Sequence, residues 1–444
     1  MLTQVRNMSD PRNVVLRFEM TESAEWKDFV LMDPPRLVID VAGAESPLVP
    51  SELETADPLL SGIRLGRPDG GAIRVVLDLA YAVPYFIKRT LEGHIEVFIR
   101  RAVDEEKAGW RVAPGVRYER RVEMRETGPL TYHVVDVDMG RGAYALGVET
   151  AEGGYGALEK LTSIVRRSGA LIGVNGGYFD METGAPVDLL VVDGQALTLP
   201  ERRRAFFGLD RAGTPSFLTP NVEMSVRCAG AELLYARRLN AAPAPGENAV
   251  FTSWYGGGRA AGGAGRREYV VRGGAVIGIA PPGGAAPADG FVFSTDGGEL
   301  FCGGAPVSVG APMSLVVSSY PDISKIWRGF SAGPMLVENG TPKTGIEEDF
   351  SFLSRIVSKR NPRTAVGVTG DNRFVAVVVE GRSVFSAGLF LDELAALMAG
   401  LGVRTGMNLD GGGSSGLVVG GRFVNRPSDG KERPVGSAVV VFGR

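Results

Sequence analysis

The sequence predicts an α+β fold, β-rich and mixed-sheet, behind a small all-β sandwich. Short runs at residues 14–18, 37–41, 73–79 and 95–99 are built from β-branched and apolar residues with the alternation of strands. Glycine supplies 62 of 444 residues and is spread without a collagen period, which suits many turns and short strands. Two stretches have helical spacing. Leu158, Leu161, Ile164 and Val165 form a short amphipathic set closed by Gly169, and Leu391, Leu394, Leu397, Met398 and Leu401 form a second.

Composition excludes several classes. The length allows two or three domains, and 44% hydrophobic with 22% charged residues is an ordinary globular mix. A net charge of −3 gives no sign of nucleic-acid binding. No apolar run is long enough to span a membrane. The two cysteines, Cys228 and Cys302, make no framework, though an exported protein could pair them. With only His94 and His133, Ser-His-Asp catalysis and a His-rich zinc site are disfavoured. Neither H-E-x-x-H nor G-x-x-x-x-G-K-[ST] occurs.

In chain order, residues 1–105 read as the β-sandwich. The phrase Arg-φ-Val-φ-Asp-φ recurs around 36–41 and 74–79, as a duplicated half would. Residues 106–125 are rich in charge and read as a linker or solvated face. Residues 126–444 form the second domain. Its apolar strand 170–174 delivers the glycine-rich tip Asn175-Gly176-Gly177-Tyr178-Phe179-Asp180. Residues 363–368 and 374–379 form a hairpin ending in Glu380-Gly381-Arg382. Pro243, Pro245 and the glycines of 256–265 mark long surface loops with the composition of a lid.

The chain is organised around Asn408-Leu409-Asp410-Gly411-Gly412-Gly413-Ser414-Ser415, at the tip of the strand that follows the second helix. Gly411, Gly413 and Gly416 fit G-x-G-x-x-G, but that fingerprint must open a helix. Here Leu417-Val418-Val419, Gly420-Gly421 and Arg422-Phe423-Val424 follow, which reads as a hairpin and rejects a dinucleotide site. An ordinary turn and a phosphate- or sugar-binding loop both remain open at this point.

Two resemblances go further. Pro35-Arg36-Leu37-Val38-Ile39-Asp40 and its surroundings resemble the AMIN domain of bacterial envelope proteins, which implies peptidoglycan as a partner of the N-terminal domain. From about residue 130 onward, the phrases Gly173-Val174-Asn175-Gly176-Gly177-Tyr178-Phe179, Ala332-Gly333-Pro334-Met335-Leu336-Val337, Arg363-Thr364-Ala365-Val366-Gly367 and the loop at Asp410 resemble the phosphodiester glycosidase family. Asn425-Arg426-Pro427-Ser428 extends the likeness. Glu380 stands where related chains often carry Asp.

The resemblance implies a hydrolase that cleaves a sugar-1-phosphodiester at the anomeric carbon. An oxocarbenium-like transition state needs a nearby carboxylate, for which Asp410 and Glu380 are the candidates, with Asp180 a weaker third. Arg363 suits a bidentate grip on phosphate. Asn175, Gly176, Thr364, Gly411, Gly412, Ser414 and Ser415 are the expected substrate-binding residues, through side chains or backbone amides. No metal or cofactor is expected; Asp and Asn side chains suit Ca²⁺, but EF-hand spacing is absent. The implied partners are a carbohydrate or glycan-phosphate substrate and peptidoglycan. The implied location is periplasmic, cell-surface or extracellular, which the missing signal-peptide core at the start contradicts unless a leader has been removed. Two other readings stay open: a non-catalytic wall-binding or assembly protein that keeps the fold, and a peptidoglycan glycosidase whose substrate lacks phosphate.

Overall fold

The computed structural model describes residues 1–444 apart from 50, 69–70, 141, 229–231, 256–264 and 347–357. The lid-like loop at 256–265 therefore lies almost wholly outside the described residues. The N-terminal unit is a sandwich. One sheet runs in the order Leu2–Asn7, Asn13–Met20, Ile95–Arg100, Tyr85–Arg89, and the other Trp26–Met32, Pro35–Val41, Ile73–Leu79, Leu60–Gly66, Ser51–Glu54. Alternate residues point inward, so Leu16, Phe18, Leu37, Ile39, Val75 and Leu77 are fully buried in one core.

The repeated Arg-φ-Val-φ-Asp-φ phrase has a local cause. Its two copies are antiparallel neighbours in one sheet, with Arg36 opposite Asp78 and Arg74 opposite Asp40. Arg74 grips Asp40 through two bonds of 2.7 Å, and Asp78 accepts from Arg36 at 3.1 Å and from Arg64. Cross-strand charge pairing fixes the register on the outer face.

Residues 106–125 are not a linker. Glu106–Ala113 and Val116–Arg125 form a hairpin that continues into Gly128–Asp138. Val116 and Tyr118 point into the core, while Arg120–Glu106 (2.6 Å) and Arg121–Glu119 (2.7 Å) pair on the surface. The density of charge conceals a period-2 apolar set.

That hairpin begins an eight-stranded sheet whose order continues Gly128–Asp138, Arg373–Val379, Arg363–Thr369, Val403–Asn408, Met335–Glu338, Thr341–Pro342. One face, with Val135, Val366, Ala376 and Met407, shares a core with two five-stranded sheets. The other face is covered by the helix Leu391–Gly400, which buries Leu391, Leu394, Ala395 and Met398. Each large side chain so buried contributes about 1.5–3 kcal/mol. The helix's first turn is closed by Glu393, whose carboxylate accepts the Phe390 amide at 2.9 Å. The helix Leu161–Ser168 ends at Gly169 in the left-handed region, as its sequence predicts. It lies so close to the strand Ile172–Asn175 that a Cβ on Gly173 would sit 2.2 Å from Val165.

Between Asn221 and Tyr320 the chain builds satellite sheets with a separate core of Met224, Val226, Tyr269, Val271 and Phe293. Cys228 and Cys302 are joined there as a disulfide, with Cα atoms 6.0 Å apart.

Candidate active site

The glycine-rich tips converge through Asn175. Its strand lies between Leu417–Val419 and Ser437–Gly443 in one five-stranded sheet, whereas Thr364 and Asn408 belong to adjacent strands of the eight-stranded sheet. The Asn175 side chain bridges the two. Its Nδ2 donates to the Asp410 carbonyl (2.7 Å), and its Oδ1 accepts from Thr364 Oγ1 (2.7 Å) and the Gly416 amide (3.1 Å). The Asp410 amide donates to Gly176 O at 3.0 Å, and the Gly412 amide to Pro362 O at 2.9 Å. Gly176 must lack a side chain, because a Cβ would fall 2.4 Å from Ser437 Oγ. Asn175, Gly176, Thr364, Asp410, Gly411 and Gly412 are thereby brought together.

Asp410 stands at the centre, half-buried. Burial pushes its carboxyl up to about 6, against the opposing pull of Ser414, the Gly411 amide and the Arg433 charge. The Gly411 amide donates to Asp410 Oδ1 at 2.9 Å. Beside it, Tyr178 Oη donates to Gly333 O at 2.5 Å, and Asn408 Nδ2 donates to the same carbonyl at 2.8 Å. Burial and the Asp410 charge push the Tyr178 phenol up to about 12, so it stays a donor. The buried Arg204 guanidinium lies 5.3 Å from the Tyr178 ring centroid and pairs with Asp188. Asn408 Oδ1, Ser414 Oγ and Ser415 Oγ are buried without a hydrogen-bond partner of good geometry, although Ser414 lies beside the Asp410 carboxyl. Three such atoms around one loop are the acceptors and donors that a polar ligand or water would satisfy.

The other expected residues sit differently. Arg363 is 2% exposed, and its guanidinium donates to the backbone carbonyls of Leu389 (2.9 Å) and Lys359 (3.2 Å). It is built into the floor beneath the site, not aimed as an open clamp. Glu380 is buried as well. Its Oε1 meets His133 Nε2 at 2.9 Å and accepts the Arg426 amide at 2.8 Å, while His133 Nδ1 meets Tyr118 Oη at 2.8 Å. Burial alone pushes the Glu380 carboxyl up, but the His133 bond and the Arg426 amide outweigh it and hold it below the usual range. Asp180 is exposed and caps a turn, accepting from the amides of Glu182 and Thr183. Among the described residues, no three His, Cys, Asp or Glu side chains are grouped to hold a metal.

Tyr178, Asn408, Arg204 and His133 carry no role in the sequence reading. Tyr178 and Asn408 flank assigned residues within the quoted phrases. His133 signals itself only by rarity, and nothing local marks Arg204.

This architecture is that of a β-rich protein in which an all-β sandwich precedes a mixed-sheet domain. Residues 265–442 match the phosphodiester glycosidase family and residues 4–94 match the AMIN domain. The strand that holds Asn175 lies before the matched segment but pairs with two strands inside it. A stretch of 112 residues is 33% identical to an uncharacterised protein derived from the SPβ prophage of Bacillus subtilis (strain 168), covering 25% of this chain and 17% of that protein. The match thus spans about a sixth of that relative's length. Two solved structures share the fold. A hypothetical protein from Synechocystis superposes with a TM-score of 0.68 at 20% identity, over all of this chain and 80% of its own. A Burkholderia pseudomallei protein described as exported superposes at 0.59 and 20% identity, over 98% of this chain and 99% of its own.

Proposed function

We propose that this protein hydrolyses a sugar-1-phosphodiester at the anomeric carbon, in a glycan or glycoconjugate of the bacterial envelope. The observation that carries the reading is Asp410: a half-buried carboxyl of raised pKa beside Ser414, in a stretch that also carries the buried polar atoms Asn408 Oδ1 and Ser415 Oγ. In the proposed reaction water adds to the anomeric carbon as the bond to the phosphate oxygen breaks, the electron pair leaves with the phosphate, and the proton lost by the water passes to the departing phosphate monoester or to solvent. A phosphate monoester is a good leaving group, so the Asp410 carboxylate serves the cationic sugar and need not protonate the leaving oxygen. Asn408, Ser414 and Ser415 hold sugar hydroxyls. Asn175, Thr364, Arg363 and Glu380 hold the loops that carry them.

The AMIN domain supports peptidoglycan as the partner of the N-terminal unit, and the disulfide suits an oxidising, extracytoplasmic compartment. Among the described residues no helix is long and apolar enough to cross a membrane. A second reading, a wall-binding protein that keeps the fold without turnover, draws on the internal bonding of Arg363 and Glu380. Assay of a panel of sugar-1-phosphodiesters beside phosphate-free aryl glycosides separates the two. Turnover that disappears in Asp410→Asn supports hydrolysis, and absence of turnover on every substrate sinks it.

A further inference from the structure

We propose that Arg382, seated against the glycine loop of Asp410, is the specificity-determining cation that receives the phosphate of the substrate. The proposal rests on the glycosidase reading and assigns the leaving-group side of the same site. Arg382 has a φ of +58°, in the left-handed region that a side chain with a Cβ seldom adopts. Arg382 is exposed, and that conformation is strained for a residue with a Cβ. A buried asparagine imposes the pose. Arg382 Nε and Nη2 both donate to Asn361 Oδ1, at 3.0 and 2.8 Å, and Asn361 Nδ2 is itself tied to Lys359 O at 3.0 Å.

The pose lays the guanidinium on the loop. A Cβ on Gly412 would lie 3.3 Å from Arg382 Nη2 and 3.4 Å from Nη1, so this glycine leaves room for the close approach. Gly413 does the same for Arg433 on its own side, and Arg433 is paired with Asp429 at 2.6 Å. The two cations differ in one respect. Arg433 is neutralised by its carboxylate, whereas Arg382 has no ion pair and Nη1 has no hydrogen-bond partner among the described residues. A positive charge without an ion-pair partner, lying against Gly412 two residues on from Asp410, matches the single negative charge of a phosphodiester. The arrangement is a planar donor held rigidly by a second residue, which is what selective oxyanion recognition needs.

The test compares wild type with Arg382→Ala, Arg382→Lys and Arg382→Gly on a sugar-1-phosphodiester and on the 4-nitrophenyl glycoside of the same sugar. Inorganic phosphate is titrated calorimetrically into each protein. Arg382→Ala is expected to lower kcat/KM on the phosphodiester by about 30-fold or more, with a much smaller change on the aryl glycoside, and to weaken phosphate binding. Arg382→Lys restores part of both. Arg382→Gly keeps or raises Tm because it relieves the left-handed strain, yet shows the same loss of phosphate selectivity. Equal losses on both substrates, or phosphate binding unchanged in Arg382→Ala, overturn the proposal. If wild type cleaves neither substrate, the glycosidase reading fails by itself, and the phosphate titration still decides whether Arg382 binds the anion.

Discussion

Asn175 and Asp410 are 235 residues apart in the chain, yet the side-chain amide of the first donates to the backbone carbonyl of the second at 2.7 Å. The same side chain accepts from Thr364 and Gly416. Asn175→Ala would leave two donors and a carbonyl unpaired in a buried place, at a cost of about 2–4 kcal/mol. Tm and kcat are expected to fall together. Asn175→Asp keeps the acceptor and loses the donor, so its Tm should fall between. A variant with full activity and unchanged Tm would show that the strand tips are held by other means.

Arg363 offers a sharper contrast between the sequence and the structure. An arginine next to glycine-rich phrases suits phosphate, but this one donates to the carbonyls of Leu389 and Lys359 from a position 2% exposed. Arg363→Ala would empty a large buried volume and strip both carbonyls, costing at least about 3 kcal/mol. Activity is expected to drop by the same factor on a phosphodiester and on an aryl glycoside. A loss confined to the phosphodiester would restore a direct phosphate contact.

The resemblance places Glu380 where an Asp is expected, and the longer side chain reaches two partners. Oε1 reaches His133 and the Arg426 amide at once. Glu380→Asp should break one of these bonds and loosen the 425–428 loop, lowering kcat by roughly tenfold and Tm by a few degrees. The double variant Glu380→Asp, His133→Ala should lose little more than the single one, because the two act as a unit. Additive losses in the cycle would separate them.

Legibility followed the range of the interaction. Strands, the 417–424 hairpin and both helices were readable because period and turn chemistry are local. The 106–125 hairpin was hidden because its inward residues Val116 and Tyr118 are few among many charges. The satellite sheets between Asn221 and Tyr320 pair strands far apart in the chain, such as Asn221–Cys228 with Met313–Tyr320. In the site, Asp410 and Asn175 announced themselves by glycine-rich tips. Whether a polar side chain faces a ligand or the scaffold depends on partners hundreds of residues away, as with Glu380 and His133. No local pattern carries that information.

The last prediction concerns Asp410 in both stability and turnover. Its carboxyl moves from 3.8 to about 6 on folding, chiefly through burial. The folded state therefore holds the proton more tightly than the unfolded chain. Stability is greatest below about pH 4, where both states are protonated, falls as pH rises toward 6, and carries the full penalty above it. Two pKa units correspond to at most about 3 kcal/mol, and partial exposure reduces that. Asp410→Asn cannot ionise, so it should be more stable than wild type at pH 7, with the difference vanishing near pH 4. Turnover moves the opposite way. If the carboxylate stabilises a cationic transition state, kcat/KM of wild type rises as pH climbs through about 6, and Asp410→Asn loses roughly a hundredfold or more above that pH, with the gap closing toward pH 4. Urea melts and kcat/KM measured from pH 4 to 8 check both limbs. A rate that falls through pH 6 would make Asp410 the proton donor instead. A stable Asp410→Asn protein of near-normal rate would remove this carboxyl from the chemistry.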